Sequence, residues 1–286
     1  MDFAGLDISS VFNEFALQGA VTFAAAVAGT QYGRIRRALL RRRFRKVFGK
    51  SVHGADDVMI CLPLWSVKPG DPTIPRFSRQ RPGGVDAGPN KELYGPTNTF
   101  AEEDVLGMVR ISDMMARVFK QPIRITGDNT ELEWSGKTVI LVGSDQGNFY
   151  TESVLHLLRD EIDCAMEFGF EYDYEENPTE GAIVICHNNK KYKTDANTEY
   201  AYVIRLQNSL DQERPADENY IFVVAGVHAA GTYAAAYFLS RNWRKFARHK
   251  GNASVLLRLQ RGRAYTVVPV AWHFETEKKD GKKHVA

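Results

Sequence analysis

Apolar residues in this chain fall into short continuous runs, separated by loops or by segments of helical periodicity. Residues 57–64, 138–142 and 220–225 are runs of this kind, which is typical of strands buried on both faces of a sheet. Residues 101–120 instead repeat apolar positions at helical spacing. Three acids at 102–104 fall in the first turn of that helix, where negative charge is favoured. Strands alternating with helices predict an α/β fold.

Residues 182–186 and 191–194 are predicted to form a hairpin, which adds an antiparallel element to the sheet. The predicted fold class is therefore a three-layer, Rossmann-like α/β domain with a mixed, mostly parallel sheet, preceded by one N-terminal transmembrane helix. This domain is expected over residues 51–274. A flexible polar tail is expected over residues 275–286.

The N-terminal segment Phe15–Gly33 carries no charge and is close to the roughly 20 residues that a membrane-spanning helix needs. Residues 1–33 are therefore predicted to be a membrane anchor, and residues 34–50 a basic juxtamembrane segment. An interfacial amphipathic helix and a soluble packing helix are the alternatives. Small residues such as Gly29 and Gly33 recur at helical spacing, so self-association into a homo-oligomer is expected.

Charge is distributed unevenly along the chain. Nine of the 37 lysines and arginines lie between Arg34 and Lys50, and the residues after Lys50 carry more acids than bases. Because positive residues stay on the cytoplasmic side, the predicted location is the cell inner membrane, single-pass, with the N-terminus outside and the α/β domain in the cytoplasm. Nucleic acid is not an expected partner, since the predicted folded domain is net acidic.

Two of the apolar strands end in glycine-containing loops that open helices, at residues 143–148 and 226–232. Ligands of open α/β sheets bind beyond the carboxyl ends of strands, and free helix N–H groups favour an anion there. The second loop has the glycine spacing of a phosphate loop, but Thr232 stands where that motif has lysine. Close packing of a tight strand-to-helix turn is the alternative role for both loops. The predicted ligand-binding residues are Gly143, Ser144, Asp145, Gly147, Asn148, Arg205, Asn208, Gly226, His228, Gly231 and Thr232.

Asp145 and His228 are the candidate catalytic residues, because either could serve in acid–base chemistry at a loop. Asp145 could equally cap a helix, and His228 could simply bond to the backbone. Gly-x-Ser-x-Gly is absent around Ser144, which disfavours a serine hydrolase. The spacing of the histidines fits no metal motif, so no metal and no cofactor is expected.

The chain resembles bacterial membrane-anchored Rossmann-like proteins associated with nucleotide signalling and antiphage defence. The resemblance lies in the N-terminal helix with its arginine run and in the segments ILVGSDQGN, AYVIRLQN and FVVAGVHAAGTYAAA. It implies a ligand-sensing or effector role and transfers no catalytic residue.

Three functions follow from these patterns. The first is a membrane-anchored sensor or effector that binds a nucleotide-like anion at the glycine loops, with the lipid bilayer and that small molecule as partners. The second is an enzyme acting on a nucleotide or its N-glycosidic bond. The third is a non-catalytic membrane scaffold whose glycine loops only pack. The first is preferred, because no catalytic motif is complete.

Overall fold

A computed structural model describes the backbone of residues 8–68, 76–79, 98–99, 101–144, 147–157, 170–173, 182–187 and 190–274, and the side chains of residues 28–64, 101–144, 147–157 and 190–274. The helices are α1 (Ile8–Phe48), α2 (Glu102–Phe119), α3 (Phe149–Leu157) and α4 (Ala229–Asn242), and a 3-10 helix (Trp243–Arg248) continues α4. The strands are β1 (Val58–Leu62), β2 (Trp65–Lys68), β3 (Arg76–Arg79), β4 (Asn98–Thr99), β5 (Arg124–Gly127), β6 (Thr138–Val142), β7 (Phe170–Asp173), β8 (Ala182–His187), β9 (Lys190–Lys193), β10 (Thr198–Gln207), β11 (Tyr220–Gly226), β12 (Ala253–Gln260) and β13 (Arg263–Phe274).

The main sheet has seven strands in the order β13-β12-β10-β11-β6-β1-β5. Strands β11, β6, β1 and β5 pair in parallel, whereas β10, β12 and β13 join through antiparallel pairs. The predicted mixed α/β sheet is confirmed, and it is compatible with a Rossmann-like fold. The predicted hairpin is also present as β8 and β9, but it belongs to a separate small sheet with β7.

Successive strand residues point to opposite sides of a sheet, so the continuous apolar strands make both faces of the main sheet apolar. Helices cover both of these faces. On one face α2 packs on α4, and Phe222 contacts Phe48 at the end of α1. On the other face Tyr150 and Val154 of α3 join a cluster with Val223 and other residues of β6 and β11. The three layers therefore form around one sheet whose central strands β1, β6 and β11 are fully buried.

The chain divides into two units, Met1–Arg43 and Phe44–Ala286. The second unit begins before the predicted start at residue 51, because the end of α1 belongs to its core. Phe44, Val47 and Phe48 are buried, and the Phe48 carbonyl accepts a hydrogen bond from the Thr138 hydroxyl. In the first unit, most side chains of residues 28–43 are exposed. Within the described part of the chain, no helix is both long and apolar enough to cross a membrane.

Candidate functional site

The carboxyl ends of β1, β6 and β11 lie side by side at one edge of the main sheet. The chain leaves β11 towards α4, which shares one face of the sheet with α2, while β6 leads to α3 on the opposite face. Neighbouring strands whose helices diverge to opposite faces open a crevice between them, which is where ligands of α/β sheets bind. We call this edge the switch-point crevice.

The first glycine loop turns tightly beside the end of β1. Gly143 has φ +105°, and a Cβ there would lie 3.2 Å from Pro63 and 3.4 Å from Asn148. Asn148 is fully buried, and its side-chain oxygen accepts hydrogen bonds from the backbone N–H groups of Tyr150 (2.9 Å) and Thr151 (3.2 Å). Asn148 therefore caps α3. Ser144 and Gly147 are half-buried in the same loop, and Asp145 lies outside the described residues.

A buried carboxylate accepts a hydrogen bond from the remaining free backbone N–H group at the start of α3. Asp128, which follows β5, is fully buried, and its two oxygens accept hydrogen bonds from the N–H groups of Leu64 (2.8 Å) and Phe149 (2.9 Å). The first three N–H groups of this helix therefore bond to groups of the chain itself. A ligand anion at this position would also meet the Asp128 charge. The sequence analysis missed Asp128, whose only signal is its place directly after a strand.

The second glycine loop is a site of close packing between β11 and α4. A Cβ on Gly226 would lie 2.2 Å from the carbonyl carbon of Gly231, and the Gly226 N–H donates to the Thr232 hydroxyl at 3.2 Å. These three residues leave no room for a ligand between them. The structure therefore favours the packing role of this glycine spacing.

A second buried carboxylate lies under the start of α4. Glu199 is 1% exposed, and it accepts a hydrogen bond from the His228 N–H at 3.2 Å. Its oxygen would be 2.6 Å from a Cβ on Gly231. His228 is exposed at the N-cap, and its side chain does not cap the helix. The intrahelical bonds of α4 begin with the Thr232 N–H, so the N–H groups of Ala229 and Ala230 have no partner within the helix.

Asp104 is the one buried acid of the crevice without a hydrogen-bond partner among the described residues. It is 6% exposed and lies in the first turn of α2, which packs beside the start of α4 at the crevice edge. Gly107, one turn further along the same buried face, approaches Tyr233 and Ala236 of α4. Burial, with a contribution from Glu103, raises the pKa of Asp104 to about 7. Asp104 can therefore exchange a proton near neutral pH.

From sequence alone, Asp104 is assigned only to the helix dipole. The signal that would have separated it from Glu102 and Glu103 is its spacing. Asp104 falls on the same helical face as Gly107 and Ile111, which are buried.

Arg205 and Asn208 do not join the glycine loops, which corrects the prediction that they reach the same crevice. They lie where β10 meets the start of β11, at the opposite edge of the sheet. The Asn208 amide donates to the carbonyls of Trp134 and Lys137. The Arg205 guanidinium is fully buried and donates to three backbone carbonyls, those of Phe246 (3.0 Å), His249 (2.9 Å) and Gly251 (2.7 Å). Arg205 thus holds in place the backbone segment that follows α4.

We expect Arg205→Met to lower the free energy of unfolding by about 2 kcal/mol. The substitution leaves three carbonyls short of donors, although it also removes the desolvation cost of a buried charge. Urea unfolding followed by circular dichroism measures the change, with Arg258→Met, at an exposed position of β12, as the control. Equal stability of the two variants would show that the carbonyl contacts of Arg205 contribute nothing.

Among the described residues, no group of three or more His, Cys, Asp or Glu side chains is placed to hold a metal ion. The crevice thus combines two carboxylates bonded to backbone amides, one acid without a partner, and an exposed histidine. It suits a ligand that offers hydrogen-bond donors better than one whose phosphate lies against α3.

The sequence matches no protein-family model, and no curated protein matches it.

Proposed function

We propose that this protein is a membrane-associated sensor whose α/β unit binds a nucleotide-like small molecule in the switch-point crevice. Asp104 accepts hydrogen bonds from hydroxyl or amino groups of the ligand, such as the diol of a ribose. The N–H groups of Ala229 and Ala230, which have no partner within α4, contact a polar oxygen of the same molecule. Signalling in prokaryotic defence, implied by the sequence resemblance, is the proposed setting.

The observation that carries this proposal is the Asp104 carboxyl. Buried polar groups in folded proteins almost always have a hydrogen-bond partner, because an unpaired one costs free energy. Asp104 is 6% exposed, and none of the described residues donates a hydrogen bond to its carboxyl, whose oxygens are not fully buried and so remain within reach of a ligand. A ligand donor at this position accounts for an acid that otherwise only destabilises the fold.

The membrane part of the proposal rests on α1. Residues 34, 36, 37, 41, 42 and 43 are arginines with exposed side chains, and Tyr32, Ile35 and Leu39 are exposed among them. Basic residues near an anionic lipid surface contribute about 1 kcal/mol each. We propose that α1 holds the protein at the inner membrane with its α/β unit in the cytoplasm. Self-association through α1 is part of the same proposal.

A second candidate function is an enzyme that acts on the same ligand. Its support is the pKa of about 7 for Asp104, which suits a general acid or base at neutral pH. His228, exposed at the crevice, is the second candidate group, and Asp145 keeps its predicted role. Consumption of the ligand, followed by chromatography of the reaction mixture, separates the enzyme from the sensor.

The ligand proposal is tested by calorimetry on the full chain in detergent micelles, against nucleosides, nucleotides and NAD derivatives. Asp104→Asn should weaken binding of any compound that binds by about tenfold, because the charged acceptor is lost. Glu103→Gln, a change of equal size at the next residue, should change it less than about twofold. If Asp104→Asn binds as tightly as the unmodified chain, Asp104 does not contact the ligand.

The membrane proposal is tested by flotation with vesicles. The chain should float with vesicles containing phosphatidylglycerol, and substitution of glutamine for Arg41, Arg42 and Arg43 should reduce the bound fraction at physiological salt. An inserted anchor would stay bound to neutral phosphatidylcholine vesicles in 1 M salt, whereas an interfacial helix would be released. A chain that floats with neither vesicle refutes the membrane role.

A further inference from the structure

Arg110 of α2 makes a hydrogen-bonded chain with two tyrosines on the face covered by α4. Its Nε donates to the Tyr233 hydroxyl at 3.2 Å, and the hydroxyls of Tyr233 and Tyr265 are 2.7 Å apart. Tyr233 is buried in α4, whereas Tyr265 of β13 is 61% exposed. The chain of bonds therefore runs from a cation, through a buried phenol, to a phenol in contact with solvent.

A second arginine lies beside this chain. The Tyr265 ring meets the Tyr237 ring edge-on at 5.1 Å, and the Arg241 guanidinium lies 5.2 Å from the centre of the Tyr237 ring. We call Arg110, Tyr233, Tyr237, Arg241 and Tyr265 the arginine–tyrosine cluster. Among the described residues, neither arginine of the cluster forms an ion pair. The cluster is therefore a positively charged patch with an aromatic floor.

The direction of the hydrogen bonds in the cluster leaves O–H and N–H donors available to a ligand. Because Tyr233 accepts from Arg110, its own proton can be donated to Tyr265, and the Tyr265 proton is then free for a ligand. The hydrogen bonds from Tyr233 and Arg110 also lower the pKa of Tyr265, which makes its hydroxyl a stronger donor. The Arg110 guanidinium interacts with both tyrosine hydroxyls, and its remaining N–H groups have no hydrogen-bond partner among the described residues.

Arg205 shows what an arginine with a purely structural role looks like in the same fold. It is fully buried and makes four hydrogen bonds to backbone carbonyls. Arg110 is exposed, and its bonds to described residues go only to tyrosine hydroxyls. Arg110 thus keeps the paired guanidinium donors that bind an oxyanion in two places at once.

We propose that the arginine–tyrosine cluster binds a phosphate monoester. Two terminal oxygens of the phosphate accept from the terminal nitrogens of Arg110, and the third accepts from the Tyr265 hydroxyl. Arg241 adds attraction for the second negative charge. This site is separate from the switch-point crevice and does not depend on what binds there.

Calorimetry of the full chain with inorganic phosphate tests the proposal. Anions also bind the arginines of α1, so the informative quantity is the difference between variants. Arg110→Met should weaken phosphate binding by about tenfold, and Tyr265→Phe by about threefold. Arg117→Met, which removes another exposed arginine of α2, should leave binding unchanged.

The source of the phosphate is distinguished by a second arm with vesicles containing phosphatidic acid. Weaker vesicle binding by Arg110→Met than by Arg117→Met would assign the site to a lipid headgroup. Equal vesicle binding, with a difference for inorganic phosphate, would assign it to a soluble phosphate ester. If Arg110→Met and Tyr265→Phe bind both probes as the unmodified chain does, or if phosphate does not bind, the proposal is wrong.

Discussion

Gly226→Ala should lower the free energy of unfolding by about 3 kcal/mol or more. The added Cβ would lie 2.2 Å from the Gly231 carbonyl carbon and 2.5 Å from the Thr232 nitrogen. All of these neighbours are backbone atoms, so no side chain can rotate away and β11 must separate from α4. Chemical unfolding in urea, followed by tryptophan fluorescence, measures the loss.

Gly54→Ala is the matched control for that experiment. Gly54 has extended backbone at φ −138°, and the nearest atom to its added Cβ is an Asp57 side-chain oxygen at 3.9 Å. The control should therefore retain the stability of the unmodified chain. A Gly226→Ala variant as stable as Gly54→Ala would mean that β11 and α4 are not in close contact.

Asp104→Asn should make the protein more stable at pH 8, by about 4 kcal/mol, and leave its stability at pH 4 nearly unchanged. Burial raises the pKa of this acid to about 7, above its value near 4 in the unfolded chain. Between those values the folded state binds more protons than the unfolded state. The free energy of unfolding therefore falls as pH rises towards 7, and the penalty is constant above it. Asparagine cannot ionise, so the variant avoids this penalty.

Urea titrations of both proteins at several pH values between 4 and 8 measure this difference. Glu103→Gln serves as the control, and it should reproduce only the smaller part of the gain at pH 8 that comes from the Glu103 charge. A variant that is less stable than the unmodified chain at pH 8 would show that the Asp104 carboxylate has a favourable partner in the fold. The combination of higher stability and weaker ligand binding would identify a group kept for function at a cost in stability.

The strands of this fold were predictable because β1, β6 and β11 are continuous apolar runs, and such runs indicate burial on both faces. The helix α2 was predictable for a similar reason, since its apolar positions recur at helical spacing. The position of Arg205 was not predictable. Arg205 lies near the end of β10, and the direction of β10 relative to β11, which is antiparallel, decides that this end lies beside the start of β11.

The carboxylates of the crevice were hidden from sequence reasoning for a different reason. Glu199 meets His228 and Asp128 meets Phe149 only after distant segments come together. A glycine loop before a helix therefore predicts a place where backbone amides are free, but not which group fills it. In this chain, carboxylates from distant segments of the same chain bond to some of those amides.

The arginine–tyrosine cluster has the same origin. Arg110, Tyr233 and Tyr265 come from α2, α4 and β13, and no local pattern connects them. Sequence analysis finds such clusters only when their members share one element.

The burial of Phe44, Val47 and Phe48 has a practical consequence for anyone who shortens the chain. A truncation at Ser51, where composition alone suggests the boundary, would delete three side chains that the α/β unit needs and leave an apolar cavity against Phe119, Phe222 and Trp243. A truncation that removes the residues up to Arg43 would delete most of the basic segment and keep these three side chains.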